Sequence, residues 1–235
     1  MSCTCRLGCL DLQARGARTL PRLLKTVLFC AVTLATTPVA QADETHARFG
    51  VYLFGIKLGE YRLAGEQNAR SYATASRFAT TGIVAAVADV RFAFNAQGRV
   101  QGGRLRPGQY REDMNTGRDA RETTLAFPAA GGQVDPATAL FLAMRDRPLT
   151  ESCAVDLRIF DGKRVMRLSA HETGRGDSTL TCAGRLQRIS GYSAEEMAES
   201  TGFSVSVTLA SSGGLWRVQT MKAGTIHGTV SVRRR

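Results

Sequence analysis

Between His46 and Val232 the apolar residues recur in short alternating runs broken by Gly, Asn or Asp. That pattern belongs to an antiparallel sheet built from hairpins. In the first run Tyr52, Phe54 and Ile56 hold even positions, whereas Tyr61 and Leu63 hold odd ones. A one-residue slip sends every side chain of a strand to the other face, so a parity change calls for a reversal of the chain. A tight connection at Lys57-Leu58, with Ile56 opposite Gly59, sets Phe54 against Tyr61 and Tyr52 against Leu63.

Residues 71–80 read as the next strand, and residues 82–88 fit either a strand or a short helical turn. Residues 89–94 and 99–105 flank Asn95-Ala96-Gln97-Gly98, expected to be a four-residue hairpin loop, and residues 109–114 and 121–127 flank Asn115-Thr116-Gly117-Arg118 in the same way. Asp161-Gly162 is a preferred two-residue turn. It lies between a strand carrying Val155, Leu157 and Ile159 on one face and a strand carrying Val165 with Arg167. Residues 180–186, 203–210, 215–221 and 225–232 complete about ten or eleven strands, with Gly213-Gly214 at the last obvious hairpin turn.

One segment departs from the alternation. In DPATALFLAMR, residues 135–145, Asp135 is a helix N-cap and Pro136 a first helical residue. Ala137, Leu140, Phe141 and Met144 follow at helical spacing, an apolar stripe that must lie against something. A second helix is expected over residues 193–199, where Ser193 and Glu196 match a capping box. The chain is thus expected to be mainly β, a single strongly curved antiparallel sheet, an open or partly closed barrel, with one main α-helix against it.

The first 42 residues stand apart from this pattern. Arg6, Arg15, Arg18, Arg22 and Lys25 face a single Asp11, and an uncharged run then ends in Ala40-Gln41-Ala42. A basic start, an apolar centre and a small-residue end make a secretory signal peptide, residues 1–42, cut after Ala42 and leaving one β-rich domain, residues 43–235, in the periplasm. As a membrane anchor the uncharged run is short, and it contains Thr33, Thr36, Thr37 and Pro38. Bulky Phe29 before Cys30 argues against a lipoprotein.

Removing the leader takes away Cys3, Cys5, Cys9 and Cys30, which leaves Cys153 and Cys182. In an oxidising compartment they read as one disulfide, and two buried unpaired thiols are the alternative. No His lies at the spacing that would make them a metal site. The leader also carries five basic residues and one acidic residue, so its loss lowers the net charge of +11 by four. The remaining excess is spread along the chain, which argues against nucleic acid as a partner. It fits a merely solvated surface first and weak peripheral contact with anionic envelope lipid or polysaccharide second.

No catalytic constellation emerges. His46, His171 and His227 lack an orienting acid at suitable spacing, and Ser169 lies too close to His171 along a strand to form a triad with it. Glu112, Asp113, Asp119 and Glu122 interleave with Arg111, Arg118 and Arg121 around a hairpin, as on a charge-compensated solvated ribbon. No phosphate loop, dinucleotide fingerprint or zinc-protease motif is present. The expectation is therefore no catalytic residue, no metal and no cofactor.

VYLFGIKLGEYRL, LRPGQYRED with Pro107 and Tyr110, DPATALFLAMR, LRIFDGKRVMRLSA, and Cys182 before Gly191-Tyr192 follow one another in an order that resembles the uncharacterised secreted bacterial family called domain of unknown function 3108. The resemblance spans nearly all of residues 46–232. It implies a secreted, mostly antiparallel β protein and supplies no catalytic residues. A departure comes near the end, at Met221-Lys222-Ala223-Gly224, where the family commonly has a proline. The expected shape is also similar to periplasmic lipoprotein carriers, an analogy of fold alone. By that analogy Tyr52, Phe54, Tyr61, Leu63 and Phe78 would line a groove, with Leu140, Phe141 and Met144 as its lid over an acyl chain.

The leading expectation is a non-enzymatic periplasmic binder of an apolar or amphiphilic envelope component. A structural or interaction protein with a filled core, acting on an envelope protein partner, is the alternative, and an enzyme on envelope polysaccharide or lipid comes third. Whether the concave face is empty or filled separates the first two.

Overall fold

At three of its reversals the chain turns on an adjacent pair of residues with positive φ: Phe54-Gly55, Gly102-Gly103 and Gly213-Gly214. The computed structural model describes residues 43–128 and 132–235, so the expected leader and its cleavage site after Ala42 lie outside the described residues. The described elements are β1 (Asp43–Leu53), β2 (Ile56–Gln67), β3 (Ser71–Thr80), α1 (Ile83–Val87), β4 (Arg91–Gln101), β5 (Arg104–Asn115), β6 (Ala120–Ala126), β7 (Gln133–Val134) and α2 (Pro136–Met144). They continue with β8 (Arg147–Pro148), β9 (Val155–Phe160), β10 (Val165–Arg175), β11 (Thr179–Ser190), α3 (Ala194–Glu199), β12 (Gly202–Ser212), β13 (Leu215–Thr225) and β14 (Gly228–Arg234). All fourteen strands belong to one sheet, ordered β6-β5-β4-β3-β2-β1-β14-β13-β12-β11-β10-β9-β7, with β8 paired to β13. Only β7 joins in parallel, to β9.

Fourteen strands and three helices correct the expectation of ten or eleven strands and one main helix. β7 and β8 have two residues each, too short for any alternation to show. The opening hairpin forms, but it reverses at Phe54-Gly55 and not at Lys57-Leu58, with φ of 50° and 82° at the two tip residues. Leu53 therefore faces Ile56, and a bulge between Val51 and Tyr52 shifts the register so that Phe49 lies opposite Tyr61 and Ala47 opposite Leu63. The bulge, together with the earlier turn, produces the parity change.

The predicted loop Asn95-Ala96-Gln97-Gly98 is instead continuous strand within β4. The reversal comes at Gly102-Gly103, both at positive φ, and a bulge at Gln97/Gly98 lets Gly98 sit opposite Pro107. The turn after β9 is likewise one residue later than expected: Asp161 N–H donates to Arg164 O, placing Gly162-Lys163 at the tip. Met166 and Leu168, rather than Val165 and Arg167, therefore pair with Ile159 and Leu157 on the inner face. Met221-Lys222-Ala223-Gly224 lies inside β13. The ambiguous residues after β3 are helical, as α1, and Ser193 and Glu196 form the expected capping box of α3.

The sheet curls around α2. Phe141 and Met144 share one core cluster with Phe49 of β1, Leu63 of β2, Tyr72 of β3, Leu180 of β11, Leu209 of β12 and Trp216 of β13. Strands so far apart in the sheet order meet through one helix only if the sheet bends round it. The two edges approach without closing by backbone pairing: a Cβ on Gly162 would lie 3.2 Å from Leu125 Cδ2 of β6.

The helix starts where Asp135 and Pro136 predict. Asp135 Oδ1 accepts from Thr138 N–H at 2.8 Å, satisfying a free first-turn donor. At the other end the buried Arg147 guanidinium donates to the carbonyls of Leu142 and Ala143, at 2.9 and 3.2 Å, and to that of Ser152 at 3.1 Å. Those are the orphan acceptors of the last turn, where a cation is also favoured by the helix dipole. Burial, with Arg145 nearby, pulls the Arg147 pKa down to about 10.

The segment after α2 is pinned on several sides. Asp146 accepts from Arg234 at 2.8 and 3.2 Å, and its own N–H donates to Thr45 Oγ1 at 3.1 Å. Trp216 Nε1 donates to Leu149 O at 2.9 Å, and a Cys153–Cys182 disulfide ties the segment to β11.

Candidate functional site

The centre of the concave face is occupied. Phe141 and Met144 are fully buried in the core and Leu140 packs partly buried against it. The cavity lined by Ala143, Leu168 and Val207 on this face measures only about 20 Å³. The helix works here as a plug, held by a buried relay: Thr138 Oγ1 donates to Asp135 Oδ2 at 2.6 Å, so its oxygen is left to accept from Tyr72 O–H at 2.7 Å. Burial raises the Asp135 carboxyl above its ordinary range, against the pull of the Thr138 hydrogen bonds. Burial also raises Tyr72, and it pushes Tyr61 up to about 12.

Of the eight residues named for a ligand groove, six meet on the inner face: Tyr61, Leu63, Phe141 and Met144 share one buried cluster, with Phe78 and Leu140 packed against it, while Tyr52 and Phe54 lie elsewhere. Tyr61 and Leu63 point inward and are buried, and Phe78 stacks at 5.7 Å on Phe92 in a ladder that continues through Phe94 to Tyr110. Tyr52 lies on the outward face under the guanidinium of Arg233, 5.0 Å from the ring centroid. Phe54 projects from the hairpin tip into solvent. Leu140, Phe141 and Met144 belong to the plug. Phe49, which the alternation did not single out, takes the place opposite Tyr61, with ring centroids 6.1 Å apart.

The larger concavity is on the other face, across β1 to β6. One part measures about 770 Å³ and the adjoining part about 520 Å³, and His46, Ala64, Ala75 and Asn95 line both. Register explains its composition. Ala64, Ala73, Ala75 and Ala93 alternate with inward-facing residues and give a low floor. Beside the floor, Arg48 pairs with Arg62 and Arg62 with Arg77, so three guanidinium side chains line up on adjacent strands. Arg235 extends the row by its backbone bond to Arg48 O.

Like charges directly opposite one another destabilise a sheet. Arg235 is offset by Glu60 at 2.7 Å, but among the described residues Arg48, Arg62 and Arg77 make no ion pair with a carboxylate. The middle row runs His46, Ala64, Ala75, Asn95 and Arg111, and at the far side Glu44 and Glu66 share one row with the amides of Gln97 and Gln109. Over β1 to β3 the trough is therefore cationic along one wall and acidic along the other, whereas on β5 and β6 the arginine row continues into Asp113 and Glu122.

The remaining candidates for chemistry stay apart. His46 Nε2 lies 3.9 Å from Glu44 Oε2, and both side chains are exposed. Glu112 is buried and accepts from Tyr110 O–H at 3.0 Å and Arg121 at 2.7 Å, an internal pairing. Among the described residues no group of three or more His, Cys, Asp or Glu is placed to hold a metal ion.

A family model described as Protein of unknown function (DUF3108) matches residues 48–136. The match supports the resemblance seen in the sequence over those residues, a span that carries the arginine row and the amides of the trough. Neither the curated proteins nor the solved structures contain a match.

Proposed function

We propose that this chain is a non-enzymatic binding protein of the cell envelope that works through its outward face, holding an anionic glycan in the trough of β1 to β6. The arginine row Arg48–Arg62–Arg77 carries the reading: three like charges kept in register, with no direct ion pair among the described residues and only the field of Glu60 on Arg62, represent a cost to the sheet that an anionic ligand removes. The alanine floor admits a flat sugar ring, and the amides and glutamates beyond it suit hydroxyl groups. Across six strands spaced about 4.8 Å apart the trough runs roughly 24 Å, enough for several sugar units. The leader expected at residues 1–42 supports a periplasmic setting. The plugged concave face supports surface binding over an acyl chain held inside.

Calorimetric titration with oligogalacturonate, and with a neutral dextran oligosaccharide of matched length, tests the reading. Binding is expected for the acidic oligomer only, weakening as salt rises and falling at least about tenfold in the Arg62→Gln/Arg77→Gln variant. Equal binding of the neutral oligomer, or indifference to that variant, overturns it. So does native mass spectrometry of protein from its own cells that shows a co-purified fatty acid lost in a Phe141→Trp variant.

A further inference from the structure

Of the seven large apolar residues exposed among the described residues, five gather at one end of the sheet. Phe54 is 77% exposed at the β1–β2 tip, Ile56 64%, Ile83 86% and Val87 85% on α1, and Ile226 49% at the β13–β14 tip. These positions are neighbours in space. Thr81 N–H, just before α1, donates to Leu58 O at 3.1 Å, so α1 sits beside the start of β2. Gly228, which opens β14, lies against the Phe54 ring, where a Cβ would come within 2.6 Å of Cζ. Monomeric surfaces seldom gather apolar side chains in this way without a partner.

Two local features show that the patch is held at a cost. Phe54 is, among the described residues, the only non-glycine with positive φ, a conformation in which a bulky side chain is an outlier. No core contact accounts for it, because its ring points into solvent. α1 has five residues, none of them buried, and no side-chain cap, yet it sets Ile83 and Val87 one turn apart on the same outer side.

The outward rows directly behind this rim are basic. The first row holds Lys222 and Lys57 with Tyr52 between them, Lys57 being paired with Glu60 at 3.0 Å. The second holds Arg233 and Arg91 with Glu60, and Asp89 lies 3.7 Å from Arg91. The third is the arginine row already described. An apolar edge backed by cationic rows is the arrangement that enters the interface of an anionic bilayer: the apolar side chains reach the acyl boundary while Lys and Arg meet lipid phosphates.

We infer that this rim is a membrane-docking surface, with Phe54, Ile83 and Val87 entering the interface of a bilayer containing anionic phospholipid and Lys222 and Arg233 meeting its headgroups. The docking residues lie outside the trough, so the two sites fail separately.

The test uses protein isolated from its own cells, with its N-terminus read by mass, and two kinds of vesicle: phosphatidylethanolamine with phosphatidylglycerol, and phosphatidylcholine alone. A Phe54→Trp variant reports from the rim, while the buried Trp216 supplies a constant background. With the anionic vesicles its emission shifts to the blue and is quenched by brominated lipid, and salt reverses both effects. A Phe54→Ser/Ile83→Ser variant, checked for an unchanged melting curve, loses at least about tenfold in vesicle partition and keeps its binding of oligogalacturonate. An unshifted emission, equal partition into phosphatidylcholine, or a concentration-dependent dimer abolished by the same two substitutions overturns the inference, the last by giving the rim to a second copy of the chain.

Discussion

Tyr72 on β3 donates its hydroxyl hydrogen to Thr138 Oγ1 on α2 at 2.7 Å, the outermost link of a relay that ends on the Asp135 carboxylate. All three groups are buried, so each hydrogen bond offsets a desolvation cost that breaking it exposes. Tyr72→Phe removes one donor and leaves Thr138 bonded to Asp135, and the expected loss is about 1 kcal/mol. Thr138→Val strands both Tyr72 and one oxygen of Asp135, with a loss of about 2–3 kcal/mol. Urea unfolding of the two single variants and the double measures the coupling, and strict additivity would show that the relay does not act as a unit.

Burial raises Tyr61, Tyr72 and Tyr110 above the ordinary tyrosine value, Tyr110 also because Glu112 lies beside it. A raised value in the folded state means that folding favours the protonated phenol. The stability these residues lend is therefore complete below about pH 10, and it is lost as the pH rises through the folded values, for Tyr61 about 12. Alkaline titration should accordingly deprotonate these three of the five tyrosines only together with unfolding. Tyrosinate absorbance followed alongside far-UV circular dichroism checks this; full ionisation before loss of the β signal would contradict the assigned burial.

Phe54 and Gly55 occupy a turn whose two tip residues both have positive φ, the backbone for which Asn-Gly is the preferred pair. Phe54→Asn is expected to raise stability by roughly 0.5–1 kcal/mol, because Asn tolerates this conformation and Phe does not. The same substitution should weaken vesicle partition. Thermal melting and co-sedimentation on one sample read the two effects, and a drop in stability would show that the ring earns its place by packing.

The parts of the fold that could be read from the chain are those with a local chemical signal. Asp135-Pro136 marked the start of α2, Ser193 with Glu196 marked α3, and Gly213-Gly214 marked a turn. Turns went wrong where a polar stretch competed with a glycine pair, as Asn95-Ala96-Gln97-Gly98 did with Gly102-Gly103. Bulges at Val51/Tyr52 and Gln97/Gly98 then moved side chains between faces, which alternation alone cannot foresee. The inward roles of Tyr61 and Leu63 were legible, whereas those of Tyr52 and Phe54 depended on the exact turn. The trough was hidden for a further reason. Arg48, Arg62 and Arg77 each precede or follow an inward residue, as any solvated strand arginine would, and they become a row only once three strands are set in register.

β1 and β14, the first and last strands described, pair with each other in the middle of the sheet. On one side of that seam lies the meander β2 to β6, and on the other the meander β9 to β13. Until β14 has emerged, the two wings share no backbone ladder through the centre, and only the α2 plug and the strap behind it can hold them together. Synthesis therefore yields a chain whose central seam must wait for β14, a long-range pairing that is slow to form.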